Sequence, residues 1–198
     1  MKRLFYFISH FSFCKLRLIE KPHKDLFMKT RLLLFFAVIF LTAQAFSAQT
    51  KMKTIEEKEG GFSYSVPASW SIGQIEGMQF QIARDKPVNG FAANINVLQE
   101  KNNYKFDDYV KLNIKQLTEY MSDYKELDTD NFTTSAGLKG KRHICSDKQV
   151  GKNLIQVFYF LEGKDKTKTI VTGSCLAETR DKYVPLFDEI AKSFKVIK

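Results

Sequence analysis

The stretch that decides the fold is Leu154-Ile155-Gln156-Val157-Phe158-Tyr159-Phe160-Leu161. Successive side chains of a strand point to opposite faces of its sheet. Here both alternating sets are largely apolar, so the strand must be covered on both sides and lie centrally in its sheet. It extends to Asn153–Glu162, with further strands expected at Leu138–Ser146 and Lys168–Ala177. The connections, Asp147–Lys152 and Gly163–Lys166, are short enough for an antiparallel meander.

Upstream lies a run of shorter strands. Phe62–Val66 alternates apolar and polar at period two and stops at Pro67. Trp70–Ile75, Met78–Ala83 and Phe91–Leu98 follow, with Asp85–Gly90 read as a loop from its proline and Asn-Gly pair. The period then changes to 3.6: Phe106, Tyr109/Val110, Asn113/Ile114, Leu117, Tyr120/Met121 and Tyr124 form one helical stripe, with Lys111, Lys115, Glu119 and Asp123 facing away. A polar cluster around Asp128–Asn131 separates this helix from the meander. A second helix begins near Thr179, which reads as its N-cap, and buries Tyr183, Leu186, Phe187, Ile190 and Phe194. Pro185 falls inside that pattern and either kinks the helix or marks its effective first turn. The expected fold is α+β, an antiparallel β-sheet sandwiched by two main α-helices. Trp70 is expected to plug the core after the Pro67 turn.

Ahead of the domain, Met28-Lys29-Thr30-Arg31 precedes ten uninterrupted apolar residues, Leu32–Leu41. Thr42–Ala48 then supplies small residues. A cationic start, a short apolar run and a small-residue end are the three parts of a secretory signal. The run is shorter than the roughly 17–25 residues of a membrane span. Ala43 and Ala45 fit the cleavage pattern and place the cut after Ala45, with a cut after Ser47 as the alternative. Residues 28–45 are therefore read as the signal and 1–27 as an upstream mis-start extension, with a long natural n-region as the alternative. Residues 46–59 are read as a loose polar lead-in and 60–198 as one domain. A periplasmic or secreted location is expected, with no stable membrane anchor.

The whole chain has 31 Lys+Arg against 22 Asp+Glu. Removing residues 1–45 leaves 23 cations against 20 acids, and those cations are dispersed. Nucleic-acid binding, which the high overall charge first suggests, is not expected of the exported part.

Gly61-Phe-Ser-Tyr-Ser-Val-Pro-Ala-Ser-Trp70 resembles the opening of the DcrB and PsbP-like proteins. The similarity continues through the Phe106-Asp-Asp-Tyr-Val helix entry to Phe187 and Ser193-Phe194, covering residues 60–197. The resemblance implies a fold used mostly for binding, with no catalytic set to transfer.

Chemistry-bearing residues are few. His143 is the one histidine of the exported part and lies mid-strand, and no G-x-S-x-G elbow accompanies it. His143 and Cys145 share a sheet face and, with Cys175, could supply three zinc ligands, but without the paired spacing of structural zinc sites. Cys145 and Cys175 form a candidate disulfide in a compartment that permits one. It would close a loop of about 30 residues. Against it, two strand spacings put the Cα atoms roughly 9–10 Å apart, beyond the ~7 Å limit of a bridge; the alternative is two small buried hydrophobes. No catalytic, cofactor or metal residues are expected. The leading function is a non-catalytic extracytoplasmic binding or accessory protein with a protein partner. An envelope chaperone and a hydrolase are the alternatives.

Overall fold

The computed structural model describes residues 50–197. The signal segment with Ala43 and Ala45, and the 1–27 extension, lie outside the described residues. Ten strands and two helices follow in order. They are β1 (Met52–Glu57), β2 (Phe62–Pro67), β3 (Ser71–Gly73), β4 (Ile82–Arg84) and β5 (Asn94–Lys101), then helix α1 (Phe106–Tyr120). After it come β6 (Lys125–Thr133), β7 (Lys139–Gln149), β8 (Lys152–Glu162) and β9 (Thr167–Leu176). A 3₁₀ turn (Ala177–Thr179), helix α2 (Arg180–Lys192) and β10 (Lys195–Val196) complete the chain.

Seven strands form one antiparallel sheet in the order β3-β4-β5-β9-β8-β7-β6. β8 sits inside it between β7 and β9, and Leu154–Leu161 are buried throughout, as their double-sided apolar pattern requires. The odd-numbered face of β8 carries Ile155, Val157, Tyr159 and Leu161 into the main core with Phe187, Ile190 and Phe194. The even-numbered face carries Phe158 and Phe160 into a smaller cluster with Tyr109 and Val110 of α1.

The expected arrangement of one sheet with a helix on each side is incomplete. β2 joins only β1 and β10, making a second, three-stranded sheet. Its Phe62, Tyr64 and Val66 share the main core with α2, so that face is covered by a helix and a sheet together. α1 covers the other face sparingly. It buries only Tyr109 and Val110, where α2 buries Tyr183, Val184, Phe187, Ile190 and Ala191.

The loose lead-in at 46–59 also needs correction, because Met52–Glu57 is strand β1. Its inward positions are Lys53, Ile55 and Glu57, and two charges in three hide the apolar alternation. Lys53 bends its ammonium to the Trp70 carbonyl at 2.5 Å, leaving Ile55 to supply the buried apolar contact. The polar cluster at Asp128–Asn131 is the middle of β6, an edge strand exposed at every residue except Phe132. A strand with one free edge and little cover need not alternate. β6 contains a bulge between Glu126 and Asp128.

Helix α1 stops at Tyr120, four residues short of the expected stripe, and Asp123 turns the chain with φ 55°. Trp70 is buried against Tyr183 and Phe187, as a core plug should be. Pro185 lies inside α2 beyond its first turn. Thr179 occupies the cap position without capping: its hydroxyl donates to the Leu176 carbonyl at 2.9 Å. Gly173 is required where α2 meets the sheet, since a Cβ there would sit 2.5 Å from the Phe187 ring.

Candidate functional site

His143 is fully buried on the α1 face of β7. Its Nε2 lies 2.8 Å from the Tyr124 hydroxyl and its Nδ1 lies 2.7 Å from Thr129 Oγ1. Thr129 reaches it because β6 pairs Thr129 directly opposite His143. The Thr129 hydroxyl donates to Glu126 Oε1 at 3.0 Å. A hydroxyl has one proton, so Thr129 can only accept from His143, and the ring carries its proton on Nδ1. Nε2 then accepts from Tyr124. The result is a directed chain, Tyr124 to His143 to Thr129 to Glu126, with both ring nitrogens spent.

Burial pushes the His143 pKa down, and Glu126 and Asp128 only partly oppose it. Burial, with smaller contributions from Cys145 and Glu126, pushes the Tyr124 hydroxyl up to about 12. A neutral imidazole beside a hydroxyl and a carboxylate resembles a hydrolytic set, but the order is wrong. In nucleophilic catalysis the histidine takes the hydroxyl proton and the acid holds the far side of the ring. Here the acid takes the hydroxyl proton, and a tyrosine holds the far side.

Two further polar clusters fasten the other face. Arg142 grips Asp188 of α2, and Tyr159 donates to the same carboxylate at 2.6 Å. Asp85 accepts from Tyr183 at 2.9 Å and lies 3.6 Å from Lys182. Both join α2 to the strands or to the loop after β4. Between α1 and β6 a groove of about 360 Å³ remains, with Val110 and Ile114 as its apolar lining and Asp107, Lys111 and Lys141 as its charges. Thr129 opens onto it.

No family model and no curated protein matches the chain. Solved structures do. LpqN of Mycobacterium tuberculosis, involved in cell envelope biogenesis, aligns with TM-score 0.58 at 10% identity, over 75% of this chain and 91% of that one. The cyanobacterial PsbP of Synechocystis sp. PCC 6803 aligns with TM-score 0.53 at 12% identity, over 78% and 97%. A protein of unknown function from Pseudomonas aeruginosa aligns with TM-score 0.51 at 14% identity, over 72% and 94%. The fold is PsbP-like.

Within this PsbP-like domain the two cysteines are both free and buried. β8 decides why. Cys145 stands opposite Gln156 and Cys175 opposite Ile155, adjacent residues that face opposite ways. The thiols are therefore on opposite faces of the sheet, an obstacle beyond the strand spacing that the sequence exposes. The candidate disulfide is corrected on this ground, and the three-ligand combination with His143 fails with it. No group of three or more His, Cys, Asp or Glu suited to a metal occurs among the described residues. Tyr124, Thr129 and Glu126 were invisible as partners of His143, because the strand that presents two of them carries no apolar alternation.

Proposed function

We propose that the chain is a non-catalytic, extracytoplasmic accessory protein that acts by binding another protein of the cell envelope. The observation that carries this reading is the groove beside α1. Its lining is apolar at Val110 and Ile114 and charged at Asp107, Lys111 and Lys141. The one hydroxyl among these residues, on Thr129, is already committed to His143 and Glu126. Such a surface recognises shape and charge, and its hydroxyl is not free to act as a nucleophile.

The export-type segment at 28–45, with cleavage after Ala45, supports the location, as does the envelope role of LpqN. The sheet lies between helices held unequally, α2 firmly and α1 lightly, which favours α1 and its rim as the contact surface. A chaperone for long hydrophobic segments would need a wider apolar face than Val110 and Ile114 provide.

A photoreactive amino acid at Ile114 or Lys141 of the exported protein should cross-link one envelope protein reproducibly in producing cells. The same probe at Lys195, in the other sheet, should not. Absence of any specific adduct at the α1 rim overturns the reading, as would hydrolytic activity abolished by His143→Ala. N-terminal sequencing of the extracytoplasmic form should begin at Phe46.

A further inference from the structure

A second cleft, of about 490 Å³, lies on the other side of the domain's chemistry, between the turn before β3 and the loop that links β4 to β5. Ser69, Ser71, Arg84, Asp85 and Lys86 supply its polar lining. We propose that this cleft binds an oxyanion group, a phosphate or a carboxylate, carried by a small ligand or a lipid headgroup. The inference does not rest on the partner-binding reading of the α1 groove.

Charge is the first argument. Asp85 is the one carboxylate in the lining, and it is fully engaged. Its Oδ1 accepts from the Lys86 backbone at 2.8 Å, and its Oδ2 accepts from the Tyr183 hydroxyl at 2.9 Å with Lys182 3.6 Å away. Those donors outweigh its burial and hold its pKa below the usual value, so it stays ionised and paired. Arg84 and Lys86 take part in none of the ion pairs among the described residues. Two cations without ion-pair partners, against one carboxylate already held elsewhere, leave the cleft net positive.

Geometry is the second. β3 pairs with β4 so that Ser71 stands opposite Arg84, placing the two on one side of the sheet. The Ser71 hydroxyl donates to the Arg84 carbonyl at 3.2 Å, which ties the two strands at the cleft. The Ser69 hydroxyl has no hydrogen-bond partner in the described residues and is available as a donor. The far wall is a hydrogen-bonded turn. Val88 and Phe91 exchange backbone hydrogen bonds of 2.9 Å across a turn whose two central residues, Asn89 and Gly90, have φ 49° and 72°. A guanidinium fork, an ammonium and a hydroxyl on fixed backbone match the needs of an oxyanion.

The test is an NMR titration of the purified protein with sodium phosphate at constant ionic strength, with sodium chloride as control. A parallel sedimentation assay uses phosphatidylglycerol vesicles against phosphatidylcholine vesicles. Saturable shifts of the Ser69, Ser71, Arg84 and Lys86 amides with phosphate, weakened at least tenfold in Arg84→Gln/Lys86→Gln, support a soluble ligand. Sedimentation only with phosphatidylglycerol, lost in the same double variant but kept in Lys111→Gln, supports a headgroup. Shifts equal to those with chloride together with no vesicle binding, or binding unchanged in the double variant, overturn the proposal. Both side chains are exposed and without ion-pair partners, so the double variant should melt at the parental temperature.

Discussion

The Arg142 guanidinium holds the Asp188 carboxylate by two parallel contacts, Nε to Oδ1 at 2.7 Å and Nη2 to Oδ2 at 3.1 Å. The pair is one of two polar rivets that fasten α2. Asp188→Ala removes it and also orphans the Tyr159 hydroxyl, leaving two donors in a mostly buried site. The expected loss is about 2–4 kcal/mol, read from the midpoint of urea unfolding. Lys115→Ala, in a solvent-exposed helical pair, should leave that midpoint unchanged.

His143 makes stability depend on pH. Its folded pKa is depressed from 6.5 by burial, so on acidification the unfolded chain takes up the proton first. The stability this neutral ring represents is complete above the unfolded value and is lost as pH falls from there through the folded value. The slope can reach ~1.4 kcal/mol per pH unit for one group. Urea midpoints measured from pH 7.5 down to 5 should fall for the parent, and His143→Gln should flatten that part of the curve.

Reduction should leave the mass of the exported protein unchanged. Burial raises Cys145 to about 12 and Cys175 to about 11, so neither thiol ionises at neutral pH. Both should resist a thiol reagent in the native state and react together on unfolding. A loss of two mass units relative to the reduced chain would refute the placement of these cysteines on opposite faces.

Much of this architecture is legible in the residues, and the gaps have physical causes. The apolar doubling of Leu154–Leu161 locates the inner strand, and the 3.6 period of Tyr183, Phe187 and Ile190 locates α2, because both are buried deeply enough for their patterns to be strict. β1 and β6 are missed because their side chains are charged for reasons of edge exposure and local pairing. The His143 chain is missed with β6. The register at Gln156 and Ile155, which separates the cysteines, depends on how three strands align, and spacing along one strand does not reveal it.

Val150 is a misfit that can be improved. It sits at the tip of the β7–β8 hairpin, fully exposed, with φ 47°, followed by Gly151 at 74°. A two-residue turn with both centres left-handed favours Asn-Gly, and a β-branched residue is strained there. Val150→Asn should stabilise the domain by about 1 kcal/mol, seen as a higher melting temperature.

The two helices should differ in hydrogen exchange. Neither helix has a side-chain cap, but α1 buries two residues and has no basic residue in its last turn, whereas α2 buries five and ends on Lys192. Protection follows buried apolar contact. Amides of Val110–Tyr120 should exchange well before those of Val184–Lys192; equal protection would show that α1 is held by more than Tyr109 and Val110.

The bulged, charged margin of the large sheet also governs what happens at high concentration. β6 offers Glu126, Asp128 and Asp130 along an otherwise open row of backbone donors and acceptors, and the opposite margin, β3, is three residues long. Two molecules meeting margin to margin along β6 would bring like carboxylates within one strand spacing, about 4.8 Å. The charged and bulged β6 margin thus disfavours strand-to-strand pairing between molecules along that edge.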